Sequence, residues 1–175
     1  DGSACDMVKT KLVKAPYAEA DGTATVSGDG LNVVWHDFKG EKCADIDAAP
    51  VKDTYVVETV SIPEGVKGDI GLVLKGYLQV PVDGIYTLAL LSDDGSTLLI
   101  DGKLLIEPPC YGHAPLLIDN DGPHSPREVI AQVTLKEGLH PIEIRYFDNN
   151  GGTLEMSLIN EKGEKQILGK DWLKH

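Results

Sequence analysis

The sequence predicts an all-β domain, an antiparallel sandwich or barrel. Short segments with alternating apolar and polar residues recur along the chain, and Gly, Pro, Asp and Asn residues separate them. No segment shows the sustained periodicity of an amphipathic helix. With 175 residues, the chain is long enough for one domain with a sizeable core.

The predicted strands follow one another in order along the chain. Residues 1–28 read as an N-terminal linker or as a first strand around residues 7–13, and residues 29–175 as the β-sandwich domain. Strands are predicted at 31–38, 54–62, 70–80, 85–91, 98–100, 129–136, 142–146 and 154–159. Residues 39–53 are predicted to form a loop, with room for a helical turn.

Period-two alternation predicts which side chains face the core. In the third predicted strand Leu72, Leu74, Leu78 and Val80 share one face. In the next strand Tyr86, Leu88 and Leu90 share a face, with Ile85, Thr87 and Ala89 opposite.

The stretch 84–103 is predicted to form a β-hairpin with an acidic turn at Asp93-Asp94-Gly95-Ser96. Two adjacent carboxylates repel each other. A hard cation such as calcium would offset that repulsion, because it prefers carboxylate and carbonyl oxygens. The alternative is a solvated turn, since Asp and Gly are favoured turn residues.

The composition argues against several classes of partner. A net charge of −12 disfavours nucleic acid and anionic membrane surfaces, and no apolar run is long enough for a transmembrane helix.

The cysteines Cys5, Cys43 and Cys110 are far apart in sequence, which allows one disulfide plus a thiol or three reduced thiols. The proline-rich segment 107–126 is a long loop of the kind that is often functional.

Several motifs, in order, resemble those of the PA14 domain, a β-sandwich module of glycoside hydrolases, bacterial toxins and yeast adhesins. The resemblance extends from Leu31 to Ile159. The motifs are Gly76-Tyr77-Leu78-Gln79-Val80-Pro81-Val82-Asp83-Gly84-Ile85-Tyr86-Thr87, Ser92-Asp93-Asp94-Gly95-Ser96, Ile100-Asp101-Gly102-Lys103, Asp119-Asn120-Asp121-Gly122-Pro123-His124 and Leu135-Lys136-Glu137-Gly138-Leu139-His140-Pro141-Ile142-Glu143-Ile144-Arg145-Tyr146-Phe147. The chain departs from the family pattern at residues 107–118, an insertion that contains Cys110, Tyr111 and His113.

The resemblance implies a jelly-roll-like sandwich with a calcium site. In sugar-binding members two consecutive aspartates joined by a cis peptide hold the ion, and a second, Asn-containing loop adds ligands. Here Asp93 and Asp94 match the pair, and the second loop matches residues 148–152. The expected metal ligands are therefore Asp93, Asp94, Asn149 and, next, Asp148.

The resemblance also implies a glycan ligand whose hydroxyls complete the calcium coordination. Candidate ligand-binding residues are Asp93, Asp94, Tyr111, His124, Arg127 and Asn150. Tyr111, in the insertion, is the candidate for stacking on a sugar ring.

The expected function is a non-catalytic carbohydrate-binding module, attached to further domains of a secreted, periplasmic or cell-surface glycan-processing protein. Glycoside hydrolysis needs two carboxylates about 5–10 Å apart across a cleft, whereas adjacent aspartates suit shared chelation. A third carboxylate, Asp119 or Asp121, facing the pair would favour catalysis. The alternative function is a structural or protein-interaction sandwich without a sugar site.

Overall fold

A computed structural model describes residues 17–101 and 116–175. They form eleven strands and one 3₁₀ helix in the described part of the chain. The strands are β1 (Leu31–Asp37), β2 (Val51–Val57), β3 (Ile70–Val80), β4 (Gly84–Asp93), β5 (Ser96–Ile100), β6 (Ile118–Asn120), β7 (Arg127–Leu135), β8 (Gly138–Asp148), β9 (Thr153–Ile159), β10 (Lys165–Ile167) and β11 (Leu173–Lys174). The 3₁₀ helix spans Cys43–Ala48.

The strands build two antiparallel sheets. The larger sheet has the order β2-β1-β3-β8-β5-β6, with β11 also paired to β3, and the smaller has the order β10-β9-β4-β7. The chain changes sheet six times in its described part, between β3 and β4, β4 and β5, β6 and β7, β7 and β8, β8 and β9, and β10 and β11. This alternation produces a jelly-roll-like sandwich and confirms the predicted all-β fold.

The core lies between the sheets and contains the predicted apolar faces. Leu72, Leu74, Leu78 and Val80 are at most 1% exposed, and Tyr86, Leu88 and Leu90 are buried as well. On the opposite face of β4, Ile85 is 65% exposed, whereas Ala89 is buried at 1% exposure. Burying each large side chain contributes about 1.5–3 kcal/mol, so these faces fix which side of each strand points inward.

The predicted hairpin at residues 84–103 is wrong. β4 pairs with β7 and β9 in the smaller sheet, whereas β5 pairs with β6 and β8 in the larger sheet. The turn at Asp93-Asp94-Gly95 therefore carries the chain from one sheet to the other. Alternation predicts the buried face of a strand, and it contains no information on which strand lies beside it.

The second strand is shifted relative to its prediction at 54–62. β2 begins at Val51, and its last pair is Val57 with Leu31 at the start of β1. Gly30, with φ of +96°, turns the partner chain away, and its Cα approaches Val57 so closely that an added Cβ would lie 2.2 Å from the Val57 oxygen. Residues after Val57 therefore have no partner on β1 and leave the sheet.

Both ends of the described chain pack on the sandwich. β11 pairs with β3, Leu173 is fully buried, and the Trp172 ring meets Tyr86 edge-on with centroids 6.1 Å apart. Near the other end, Ala18 forms a parallel bridge with Leu135. The predicted strand around residues 7–13 lies outside the described residues.

A buried histidine joins β8 to the end of β5. The His140 side chain is fully buried, with Nδ1 3.0 Å from Asp101 Oδ2 and Nε2 2.8 Å from the Lys136 carbonyl oxygen. Burial lowers the pKa of His140, but the hydrogen bonds to Asp101 and Lys136 and the Asp101 charge outweigh it and raise the pKa above its ordinary value. Asp101 itself, at φ of +58°, follows the last residue of β5 in a turn conformation.

Candidate functional site

The aspartate turn lies at the end of the sandwich where strands of both sheets meet. The peptide bond between Asp93 and Asp94 is cis, as the resemblance implies. Tyr146 in β8 donates a hydrogen bond from its hydroxyl to the Asp93 carbonyl oxygen at 2.7 Å. Burial, followed by the charges of nearby aspartates, raises the pKa of Tyr146, so this donor keeps its proton.

The Asp94 carboxylate connects the turn to two loops. Its Oδ1 accepts a hydrogen bond from the His124 backbone N–H at 3.1 Å, and its Oδ2 accepts one from the Asn149 backbone N–H at 3.3 Å. His124 lies between β6 and β7, and Asn149 between β8 and β9. Asp94 therefore holds residues distant in sequence against one turn.

The Asp93 carboxylate has a different environment. Among the described residues it has no hydrogen-bond donor. Burial and then the charges of Asp94 and Asp148 raise its pKa, and His124 opposes that shift. The charged form of Asp93 is thus disfavoured by burial and by the neighbouring carboxylates, and a bound cation would offset both effects.

Asp148 shapes the second loop. It is 2% exposed, and its Oδ1 and Oδ2 accept hydrogen bonds from the backbone N–H groups of Asn150 and Gly151 at 3.0 and 2.7 Å. A carboxylate that caps the following residues in this way is an Asx turn. In the same loop an added Cβ at Gly152 would lie 1.9 Å from the Asp93 carbonyl oxygen, so the loop packs directly on the aspartate turn.

Asn149 presents a buried oxygen without a protein partner. Its Nδ2 donates to the Gly40 carbonyl oxygen at 2.9 Å, which fixes the orientation of the amide, since the reversed amide would place two oxygens together. Its Oδ1 is buried and has no hydrogen-bond partner in the described part of the chain. Leaving a buried amide oxygen unpaired costs about 1–3 kcal/mol, and a bound cation would satisfy it.

Asn120 forms a network of hydrogen bonds with Ser92, His124 and Arg127 next to the aspartate turn. The sequence did not predict this role. Asn120 is fully buried, and its Nδ2 donates to Ser92 Oγ at 3.1 Å and to the Arg127 carbonyl oxygen at 3.0 Å. Its Oδ1 accepts from Arg127 Nε at 2.6 Å, and its carbonyl oxygen lies 2.8 Å from His124 Nε2. The only signal in the sequence was its place in the Asp119-Asn120-Asp121 motif.

The 3₁₀ helix before β2 also contacts the loop between β6 and β7, and the sequence did not predict this contact. The Cys43 backbone N–H donates to both Asp121 carboxylate oxygens, at 3.0 and 3.2 Å. The Cys43 thiol is buried and forms no disulfide within the described part of the chain, and burial, followed by the Asp121 charge, raises its pKa. Asp121 is therefore engaged by the 3₁₀ helix.

The structure brings together most of the predicted site residues. Asp93 and Asp94 form the aspartate turn, and Asp148, Asn149 and His124 lie around it. Arg127 is exposed and reaches this group through Asn120. Tyr111, Cys5 and Cys110 lie outside the described residues.

A cleft of about 430 Å³ adjoins the second loop. Asn150 belongs to it, together with the apolar side chains of the segment between β2 and β3. The lining residues are Ile62, Pro63, Val66, Lys67, Asn150, Gly151 and Gly152.

The available donor atoms are those of a hard-cation site. Within residues 17–101 and 116–175, no three His, Cys, Asp or Glu side chains converge to hold a metal by themselves. A metal here would need the Asn149 amide or backbone carbonyl oxygens beside the carboxylates. Such an all-oxygen set suits calcium and does not suit zinc, which prefers His and Cys.

Known structures share this fold. The PA14 domain of the antifreeze protein MpAFP superposes with a TM-score of 0.67 at 17% identity, covering 90% of this chain and 96% of that one. A PA14 sugar-binding domain from an RTX adhesin gives 0.66 and 17%, covering 85% and 99%. The A domain of epithelial adhesin 6 from Candida glabrata, in complex with Galb1-3GlcNAc, gives 0.65 and 13%, covering 89% and 90%.

The sequence comparisons agree with this fold. No curated protein matches the chain, but the family model described as "PA14 domain" matches residues 27–172. The match includes the aspartate turn, both loops that contact it and the strands that position them. The chain therefore belongs to the PA14 domain family.

Proposed function

We propose that this domain is a non-catalytic carbohydrate-binding module that binds its glycan through calcium. Asp93, Asp94 and Asn149 Oδ1 would hold the ion, with Asp148 as a further candidate ligand. Calcium accepts about 6–8 oxygen ligands in flexible geometry, so vicinal sugar hydroxyls can complete its coordination.

The observation that carries the proposal is the buried, unpartnered Asn149 Oδ1 next to the aspartate turn. The raised pKa of Asp93, caused by burial and then by the charges of Asp94 and Asp148, supports it as well. One cation would satisfy both groups, because it supplies positive charge to the carboxylates and a partner to the amide oxygen.

The ligand class is supported by two of the structural neighbours. One is a sugar-binding domain of an adhesin, and another was solved with a disaccharide bound. The cleft beside Asn150 would accommodate a sugar next to the ion, and His124, Arg127 and Tyr111 are further candidate contacts for it, Tyr111 by stacking. Further domains of a secreted, periplasmic or cell-surface glycan-processing protein would be its covalent partners.

The arrangement of carboxylates favours binding over hydrolysis. Of the two carboxylates expected to oppose the aspartate pair in an enzyme, Asp121 accepts the Cys43 backbone N–H at the 3₁₀ helix, and Asp119 accepts the Asp121 backbone N–H within its own loop. Catalysis by a pair of carboxylates requires both to face one scissile bond.

A glycan array tests the proposal. Wild-type protein should bind a subset of glycans only when calcium is present, and an Asp93→Asn/Asp94→Asn variant should bind no member of that calcium-dependent subset in either condition. A Glu161→Gln/Asp171→Asn variant, altered at two exposed positions, makes the same change in net charge and should bind like wild type. Failure of the wild type to bind any glycan in calcium would favour the alternative, a structural or protein-interaction sandwich.

A further inference from the structure

A groove with a cavity volume of about 430 Å³ crosses the outer face of the larger sheet. Strand register places two neighbouring rows of outward-facing residues there. One row contains Leu99, Glu143, Lys75 and Asn32, and the other contains Pro141 and Tyr77. The cavity is also lined by Gly76, Ile142 and His175.

The groove is well separated from the aspartate turn. Glu143 precedes Asp148 by five residues on β8, which corresponds to about 17 Å at the rise of an antiparallel strand. Pro141 and Tyr77 lie farther along the same strands. The 3₁₀ helix packs on the intervening part of this face, where Ile46 contacts the cluster around Phe147.

A chain of ion pairs fixes the polar side of the groove. Lys75 Nζ lies 3.3 Å from Glu143 Oε2, and Arg145 Nε donates to Glu143 Oε1 at 2.5 Å. Arg145 Nη2 also lies 2.8 Å from Asp47 Oδ2. Two cations and two anions alternate, so these four side chains together carry no net charge, and each already has a partner of opposite charge.

The other side of the groove is apolar. Tyr77, Leu99 and Pro141 are half-buried and present an aromatic ring and two aliphatic surfaces. Small-molecule sites typically combine such surfaces with a few fixed polar groups, in cavities of about 300–1,000 Å³. Asn32, exposed at the end of the polar row, adds an amide that can both donate and accept.

The strands beneath the groove, β3 and β8, cannot pair with an added peptide strand. At these rows β3 is paired with β8 and, on its other side, with β1 or β11, and β8 is paired with β3 and β5. Their backbone groups are already used, so strand addition, which needs an open edge, cannot occur here. Because the charges around the groove balance, neither an anionic nor a cationic ligand is favoured there. The net charge of −12 further disfavours an anion.

We propose that this outer-face groove is a second ligand site, which binds neutral oligosaccharides without calcium. The Tyr77 ring and Pro141 would pack on the apolar face of a sugar ring, and Lys75, Glu143 and Asn32 would hydrogen-bond its hydroxyls. A module with two separated sites would bind a polysaccharide with higher avidity than either site alone.

The test uses wild-type protein in chelator, with neutral hexasaccharides of glucose, mannose and xylose as probes, and backbone amide NMR shifts as the readout. At least one probe should shift the amides of residues 75, 77, 99 and 143. An Asp93→Asn/Asp94→Asn variant should bind the same probe with unchanged affinity, which separates this site from the proposed calcium site.

Single substitutions test which residues of the groove contribute to oligosaccharide affinity. Tyr77→Ala should weaken binding roughly tenfold, equivalent to about 1.4 kcal/mol. Lys75→Met, at an exposed position that cannot threaten the core, should weaken it at least roughly threefold, whereas Ile130→Ala on the other sheet should have no effect. The proposal is overturned if no probe shifts these amides, if the shifts map to residues 93–94 and 148–152, or if Tyr77→Ala and Lys75→Met both bind like wild type.

Discussion

Replacing Gly152 with alanine tests whether the second loop must lie directly against the aspartate turn. The added Cβ would be 1.9 Å from the Asp93 carbonyl oxygen and 2.7 Å from its carbonyl carbon. Real Cβ contacts essentially never fall below 3.0 Å, so the loop must move by at least the difference of 1.1 Å (3.0 minus 1.9). Both contacted atoms are backbone, and no side chain can rotate away to make room.

A shift of that size would separate Asn149 from Asp93 and Asp94. Loss of the groups that orient metal ligands typically costs about 10–100-fold in metal affinity, and overpacking costs about 1–3 kcal/mol. We therefore expect Gly152→Ala to weaken calcium binding by about 10–100-fold and to lower the free energy of unfolding by about 1–3 kcal/mol.

Competition with a calcium-binding dye measures the affinity, and urea denaturation measures the free energy of unfolding. Gly22→Ala, in open space, should change neither quantity. Gly151→Ala, also in open space but at φ of +89°, should cost about 1–2 kcal/mol of stability with little loss of affinity. A folded Gly152→Ala protein that binds calcium like wild type would refute this account of the site.

Three further substitutions test a residue next to the aspartate turn, a buried histidine at the other end of β8 and the turn itself. Asn120→Ala should lower the free energy of unfolding in urea by about 2–4 kcal/mol because it leaves buried partners unpaired, whereas Gln132→Ala, at an exposed hydrogen bond, should stay within about 0.5 kcal/mol of wild type. The raised pKa of His140 stabilises the fold fully below the unfolded value of about 6.5 and loses this contribution as pH rises through the folded pKa, so His140→Gln should flatten the fall in stability above that pH. Asp93→Asn should stabilise the calcium-free protein at neutral pH by removing a disfavoured charge, and the gain should shrink as pH falls through the raised pKa of Asp93. An unchanged Asn120→Ala protein, a pH profile identical in His140→Gln, or a destabilised Asp93→Asn protein would each contradict the corresponding assignment.

Local patterns in the sequence were sufficient to predict the fold class and the buried faces. Leu88 and Leu90 are buried and Ile85 is exposed because alternation directly reflects the pleat of a strand. Strand partners depend on contacts between distant segments. β4 and β5 are adjacent in sequence, yet each pairs with strands elsewhere in the chain, so the predicted hairpin was wrong.

The site shows the same division between local and distant information. Asp93 and Asp94 stand out in the sequence as a pair, and the family resemblance identified the 148–152 loop. The contact between Asn149 and Gly40 joins residues 109 positions apart, and no local pattern marks Gly40. Asn120 was missed for a similar reason, since its role depends on burial among Ser92, His124 and Arg127.

Calorimetric titration with calcium after chelator treatment is the decisive test of a calcium site at the aspartate turn. We expect saturable binding of one ion to the wild-type domain, and loss of that binding in an Asp93→Ala/Asp94→Ala variant that remains folded. Absence of binding to the wild type, or equal binding to the variant, would contradict a calcium site at the aspartate turn.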